Sequence, residues 1–259
     1  LRSVRVIRSR GLSSRGLLLC TENKSTLDVT NNSIQSASPV KLVGYHHSHM
    51  QPEPCLTPMP DDRRLFAPSA ERNRTHILPV LRRLLPDAAV VLEVGSGTGE
   101  HAVHFCAHIP GLRWQPTDSR EEALDSIIAW ISHSGLSNIA PPLELNLNNE
   151  AWPVNHADAV VAINVLHYTP WSSTSALFRG AASVLSEEGI VYCYGPYRRD
   201  NAHTAPSNLT FDEWLHSIDP DLGVRDLEAV EAEAGKHGFR LDEIIDMPAN
   251  NLSLVFRRA

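Results

Sequence analysis

Twelve residues in the middle of the chain, VVLEVGSGTGEH (Val90–His101), carry the pattern with the most chemical content. The apolar run ending at Val94 reads as a buried strand. Gly95, Gly97 and Gly99 then read as a turn that brings the backbone close to a ligand, with a helix starting at Glu100. Their G-x-G-x-G spacing differs from that of two phosphate-binding turns. A dinucleotide turn wants G-x-G-x-x-G, with glycine where Glu100 stands, and a P-loop ends in Gly-Lys-Ser/Thr. Glu100 would repel a pyrophosphate at the helix start, but a phosphate-free adenosine ligand bearing a cationic sulfonium meets no such objection.

Two carboxylates agree with that ligand, S-adenosylmethionine. Glu93 stands two residues before Gly95, where it can reach a cation directly or through water. Asp118 ends the next strand, 19 residues after Gly99, where a carboxylate can accept hydrogen bonds from both ribose hydroxyls. Asp118 as a cap for the helix near Arg120 is the plainer alternative. Ser96 belongs to the same turn. His101, at the helix start, either touches the methionine part of the ligand or packs there. Asn164 and His167 follow the fourth strand of the alternation and face the region beyond the strand ends. His167 is the candidate general base, with a loop hydrogen bond as its alternative. Tyr194 and Tyr197 flank Gly195-Pro196 and are candidates to wall an acceptor pocket, while Tyr192 reads as core. Glu71, Arg72 and Asn73 form a polar set at a helix start. They are expected to close over the amino-carboxylate end of the ligand, with Arg72 pairing the carboxylate, or else to form a surface salt-bridge cluster.

The elements that must position these groups follow from periodicity. Helices are expected over 69–85 (N-cap Ser69, broken or kinked at Pro79), 100–109, 120–134 (capped by Gly135), 173–185, 210–218 (N-cap Thr210) and 225–237. Strands are expected over 88–94, 113–117, 143–147, 157–163, 190–194, 240–246 and 252–256. Such alternation predicts an α/β fold, a mostly parallel sheet with helices on both faces.

The E-x-G-x-G-x-G turn, Asp118 and this order resemble the class I S-adenosylmethionine-dependent methyltransferases. More closely, the stretches SAERNR (69–74), LEVGSGTGEHAVHF (92–105), WQPTD (114–118), INVLHYTP (163–170), YGPY (194–197) and DMPANN (246–251) are similar to the methyltransferase-like protein 26 family, a domain-of-unknown-function family. The resemblance spans essentially residues 65–259. It implies a Rossmann-like three-layer sandwich with a seven-stranded, mostly parallel sheet and a C-terminal antiparallel hairpin. It brings no known methyl acceptor. In the superfamily an acidic residue at the end of the third strand faces the adenine amino group. Asn146 stands there, and its carbonyl oxygen can still accept that bond. Through DMPANN, Asn250 becomes a further acceptor-pocket candidate, although Asn250 and Asn251 also suit a plain turn.

Composition bounds the rest. Residues 1–60 hold seven Lys/Arg against three Asp/Glu, and the remainder holds 16 against 27. So acidic a domain is a poor counter-ion for long nucleic acid. No apolar run reaches the length of a membrane span. Residues 1–20, with five Arg, four Ser and no acid, fit a mitochondrial transit peptide or a basic tail, so cytoplasmic and mitochondrial placement both stay open. Residues 1–60 read as tail and linker, and residues 61–259 as the methyltransferase domain. Cys106 and Cys193 fall in apolar runs and read as buried thiols; Cys20 and Cys55 complete the four. No metal-ligating cluster is evident outside the incidental His46, His47 and His49, so metal-independent methyl transfer is expected. Two rivals are a non-catalytic S-adenosylmethionine-binding scaffold and a nicotinamide-dependent oxidoreductase, the latter lacking its glycine pattern.

Overall fold

The computed structural model describes residues 57–58 and 62–259. The expected basic tail, its boundary at residue 60, the three linker histidines, Cys20 and Cys55 lie outside the described residues. A two-stranded antiparallel ribbon, β1 (Thr57–Pro58) and β2 (Leu65–Phe66), comes first. Then follow α1 (Pro68–Leu84), β3 (Val90–Val94), α2 (Glu100–His108), β4 (Arg113–Asp118), α3 (Glu121–Ser134), β5 (Leu143–Glu144) and β6 (Ala157–Ile163). A 3₁₀ turn, Leu166–Tyr168, leads to α4 (Ser172–Val184), β7 (Leu185–Gly195), β8 (Tyr197–Arg199), β9 (Ala202–His203) and α5 (Pro206–Ile218). The chain ends in β10 (Arg225–Asp226), α6 (Leu227–Lys236), β11 (Phe239–Met247) and β12 (Asn251–Arg258).

Seven strands form one sheet in the order β11-β12-β7-β6-β3-β4-β5. β12 runs antiparallel to both of its neighbours, and all other pairs are parallel. This is the expected Rossmann-like α/β sheet with its C-terminal hairpin. After β3 the chain steps outward through β4 and β5, then returns to the far side of β3 as β6. The order therefore reverses between β3 and β6, and a crevice opens at their carboxyl ends.

Period-two alternation divides the core into two layers. Leu92, Val160, Val191, Cys193, Leu254 and Phe256 face α4 and α6, where they meet Leu177, Phe178 and Val230. Val91, Val161, Tyr192 and Val255 face the other way, onto Ile77, Leu81, Phe105 and Trp114. Among the described residues, Cys106 and Cys193 are buried, and burial pushes each thiol up to about 12, which keeps them unreactive. Among the described residues, no helix is long and apolar enough to cross a membrane.

Several expected boundaries move. α1 starts at Pro68 after Ala67, not at a Ser69 cap, and runs unbroken through Pro79. Pro79 and Thr75 both lie on the exposed face, so the carbonyl that loses its helical partner faces solvent. α5 begins at Pro206; Thr210 is inside it and its hydroxyl bonds back to the Pro206 carbonyl at 3.3 Å. Arg225-Asp226 is a strand rather than helix, and Asp226 caps α6 by accepting from the Ala229 N–H. The small sheet β10-β8-β9 has no counterpart in the periodicity, since its strands have two or three residues.

Candidate functional site

The glycine turn sits at the reversal point of the sheet. Gly95, Gly97 and Gly99 all take left-handed backbone, with φ of 64°, 57° and 92°, a region that disfavours any side chain. Their surroundings differ. A Cβ on Gly99 would lie 3.0 Å from the Ile127 Cα, so that glycine lets α2 and α3 approach. A Cβ on Gly95 would lie 3.0 Å from Val165 in the loop after β6. Gly97 has open space, and its N–H donates to Asp118 Oδ2 at 2.9 Å. The other oxygen, Oδ1, accepts from the Arg120 N–H at 3.0 Å and from Arg120 Nε at 3.2 Å. Asp118 therefore closes onto the glycine turn. It does not cap α3, whose cap position is Arg120 without a side-chain bond.

The turn is pinned from below. The Ser96 N–H donates to the Thr117 carbonyl at 2.8 Å, and Ser96 Oγ accepts from the Thr117 N–H at 3.1 Å. Ser96 thus braces the turn against β4. Glu93 is 1% exposed and accepts from the Trp114 indole N–H at 3.0 Å. Burial raises its carboxyl to about 7. Glu100 is turned away from the turn's mouth: its Oε2 accepts from the Ala67 N–H at 2.7 Å and from the Thr98 hydroxyl at 3.0 Å.

α1 reaches the same end of the sheet. Asn73 is buried, and its Oδ1 lies 2.7 Å from His101 Nε2, a contact in which the nitrogen donates. Burial pushes His101 down to about 3, so the ring is neutral. His101 therefore packs, stacked on Phe105 and tied to α1. Glu71 and Arg72 are exposed, and the Arg72 charge is felt by Tyr194, which is buried at the end of β7.

Beyond β6, Asn164 takes left-handed backbone (φ 57°) and donates its N–H to the Tyr194 carbonyl at 2.8 Å. A Cβ at Gly195 would lie 2.9 Å from His167 Cε1 and 3.6 Å from Asn164 Oδ1. The missing side chain leaves room there for the His167 ring, with the Asn164 amide close by, at the end of β7. His167 is 4% exposed, and burial, with the Arg225 charge second, pushes it down to about 3. The candidate general base is therefore a neutral, weakly basic imidazole.

Three other candidates already have partners within the protein. Tyr197 is packed in the core layer that faces α4 and α6. Asn146 is exposed after β5, and its Oδ1 already accepts from the Asn148 N–H at 3.0 Å. Asn250, at the hairpin tip, donates to Ser207 Oγ at 3.2 Å, and its carbonyl accepts from Asn208. It ties the hairpin to α5. Sequence reasoning missed Val165, Gly195, Phe211, Trp214 and Arg225. Only the i, i+3 spacing of Phe211 and Trp214 hinted at a shared face.

The fold has solved counterparts. The mitomycin 7-O-methyltransferase is 18% identical with a TM-score of 0.63, matching 74% of this chain and 55% of its own. CalO1, a methyltransferase in calicheamicin biosynthesis solved in its SAH-bound form, is 20% identical with a TM-score of 0.59, matching 73% and 55%. An O-methyltransferase family 2 protein from Planctomyces limnophilus, in complex with apigenin, is 18% identical with a TM-score of 0.62, matching 74% and 60%. The chain thus spans little more than half the length of these structures, and the likeness is one of fold. Residues 64–258 match the family described as "Protein of unknown function (DUF938)", and the chain belongs to that family.

Proposed function

We propose that this domain binds S-adenosylmethionine in the crevice between β3 and β6 and transfers its methyl group to an acceptor, as a methyltransferase of the methyltransferase-like protein 26 kind. One observation carries the reading: the open Gly97 backbone and the Asp118 carboxylate lie together at the point where strand order reverses. An adenosine laid over Gly97 meets the carboxylate with its ribose, and no phosphate is required. The methyltransferase neighbours, one holding the demethylated product of this cofactor, support the same reading.

When bound, the cofactor supplies a methyl group already activated on a sulfonium. The protein's work is then to hold and orient. Asp118 grips the ribose, and Gly95, Gly97 and Ser96 shape the floor. Gly99 and His101 fix the turn's position against α3 and α1. Asn146 is offered to the adenine edge, and Arg72 to the carboxylate end. Glu93 supplies a buried acidic group behind the turn, and Asn164 faces the acceptor side. His167 accepts a hydrogen bond from the acceptor's hydroxyl. That proton would become strongly acidic only as the oxygen took the methyl group and the carbon–sulfur bond broke, so a weakly basic imidazole would suffice to take it. The acidic balance of residues 61–259 favours an acceptor other than long nucleic acid.

The test is calorimetric titration of the full chain with S-adenosylmethionine, S-adenosylhomocysteine and NADH. Micromolar binding of the first two alone supports the proposal; binding of NADH, or of none, overturns it. The depth and low basicity of His167 favour a second reading, a cofactor-binding scaffold without turnover. Release of S-adenosylhomocysteine that depends on an added acceptor would exclude it.

A further inference from the structure

Four of the six large apolar side chains that stand exposed among the described residues, Tyr168, Trp171, Leu209 and Ile218, lie on the turn after β6, the start of α4, and α5. Tyr168 among them belongs to a cluster of packed rings. Its rings are ordered. The His167 ring lies 4.9 Å from Tyr168 and 5.5 Å, edge-on, from Phe211. Phe211 stacks with Trp214 one helical turn later, at 5.7 Å with 22° between planes. Tyr168 meets Phe211 and Trp214 edge-on at 6.0 and 6.3 Å. The row thus runs from His167, 4% exposed, outward to half-buried Phe211 and Trp214 and to Tyr168, 37% exposed.

The inner end of the row is the candidate reaction site, where Gly195 leaves room for His167 beside Asn164. Several polar groups near the row are already engaged. Arg225 donates to the Leu166, Thr169 and Asp221 carbonyls, and the Gly223 N–H donates to the His167 carbonyl. Asp212, next to Phe211, accepts from the Val224 N–H and pairs with His203 at 3.2 Å. What the row offers a ligand is ring surface, which selects flat partners through stacking and edge contacts.

We infer that His167, Tyr168, Phe211 and Trp214 form the acceptor subsite, and that it takes a planar aromatic molecule with its nucleophilic atom at the ring edge pointing to Asn164 and His167. The inference rests on the reading of the crevice as a methyl-transfer site. The probe is 2-naphthol, compared with its saturated counterpart decahydro-2-naphthol, by calorimetry on the full chain. Each protein variant is titrated in parallel with S-adenosylmethionine. The planar probe is expected to bind about fivefold more tightly than the saturated one. Trp214→Leu, which keeps an apolar side chain but removes the ring, should abolish that preference, and Trp214→Phe should retain it. Cofactor affinity should be unchanged in both, which also shows that they fold. Equal affinity for the two probes, or an undiminished preference in Trp214→Leu, overturns the subsite. If the planar preference holds but the cofactor does not bind, the subsite stands and the methyl-transfer reading falls. If the cofactor binds without a planar preference, the reverse holds.

Discussion

Three glycines in five residues do different work. Gly97 needs its left-handed φ but has open space beside it, whereas Gly99 needs both the φ and the absence of a side chain against Ile127. Gly97→Ala is expected to cost roughly 1 kcal/mol of stability from backbone strain alone, yet to weaken S-adenosylmethionine binding strongly. Gly99→Ala should cost more than that in stability, because the Ile127 backbone cannot give way cheaply. Thermal unfolding and calorimetry on the pair separate the two effects, and equal loss of both properties in both variants would contradict the assignment. Asp118→Ala removes a charged acceptor from the turn, so cofactor affinity should fall at least about tenfold. An affinity within twofold of the parent would place the ribose elsewhere.

At the scale of elements, α1 is fastened by polar contacts rather than by burial alone. Asn73 holds His101, and Glu100 holds the Ala67 N–H just before the helix begins. Arg64 adds a cation–π contact with Trp130, 4.7 Å from its ring, while Trp130 donates to the Leu65 carbonyl at 2.9 Å. Asn73→Ala would leave the His101 N–H buried without an acceptor, a loss of about 1–3 kcal/mol. Amide exchange should then accelerate in α1 while β3, β6 and β7 keep their protection. Uniform acceleration across the sheet would show that α1 is not a separate docking unit.

The whole molecule carries an acid sensitivity written by burial. His101 and His167 are held near 3 in the folded chain, below the ordinary 6.5, so unfolding lets them take up protons at mild acidity. Their contribution makes stability fall as pH drops from about 6.5 toward 3. Glu93 acts in the opposite sense. Its folded value of about 7 exceeds the ordinary 4.5, so it lends stability as pH falls through 7 to 4.5. With half-buried His104, held near 4, the histidines outweigh the one glutamate between 6.5 and 4.5, leaving a net loss of stability as pH falls through that window. The melting temperature should fall by several degrees between pH 6.5 and 5. Glu93→Gln should steepen that fall and His167→Gln should flatten it; an unchanged slope in both would show that other groups set the acid limit.

By itself the sequence determined the fold class, the order of the main elements and the glycine turn with Asp118. These rest on short-range signals: apolar runs for strands buried on both faces, helical periodicity, and glycine where φ must be positive. Only the tertiary structure decided which polar groups face the crevice. Spacing could not show that Tyr197 turns into the core, that Asn250 fastens the hairpin to α5, or that Glu93 is spent on Trp114. Nor could it show that His167 is too deeply buried to hold a proton, or that Phe211 and Trp214, over forty residues later, extend its ring row. Burial and desolvation depend on what packs around a group from every direction, and most of those neighbours are distant in the chain.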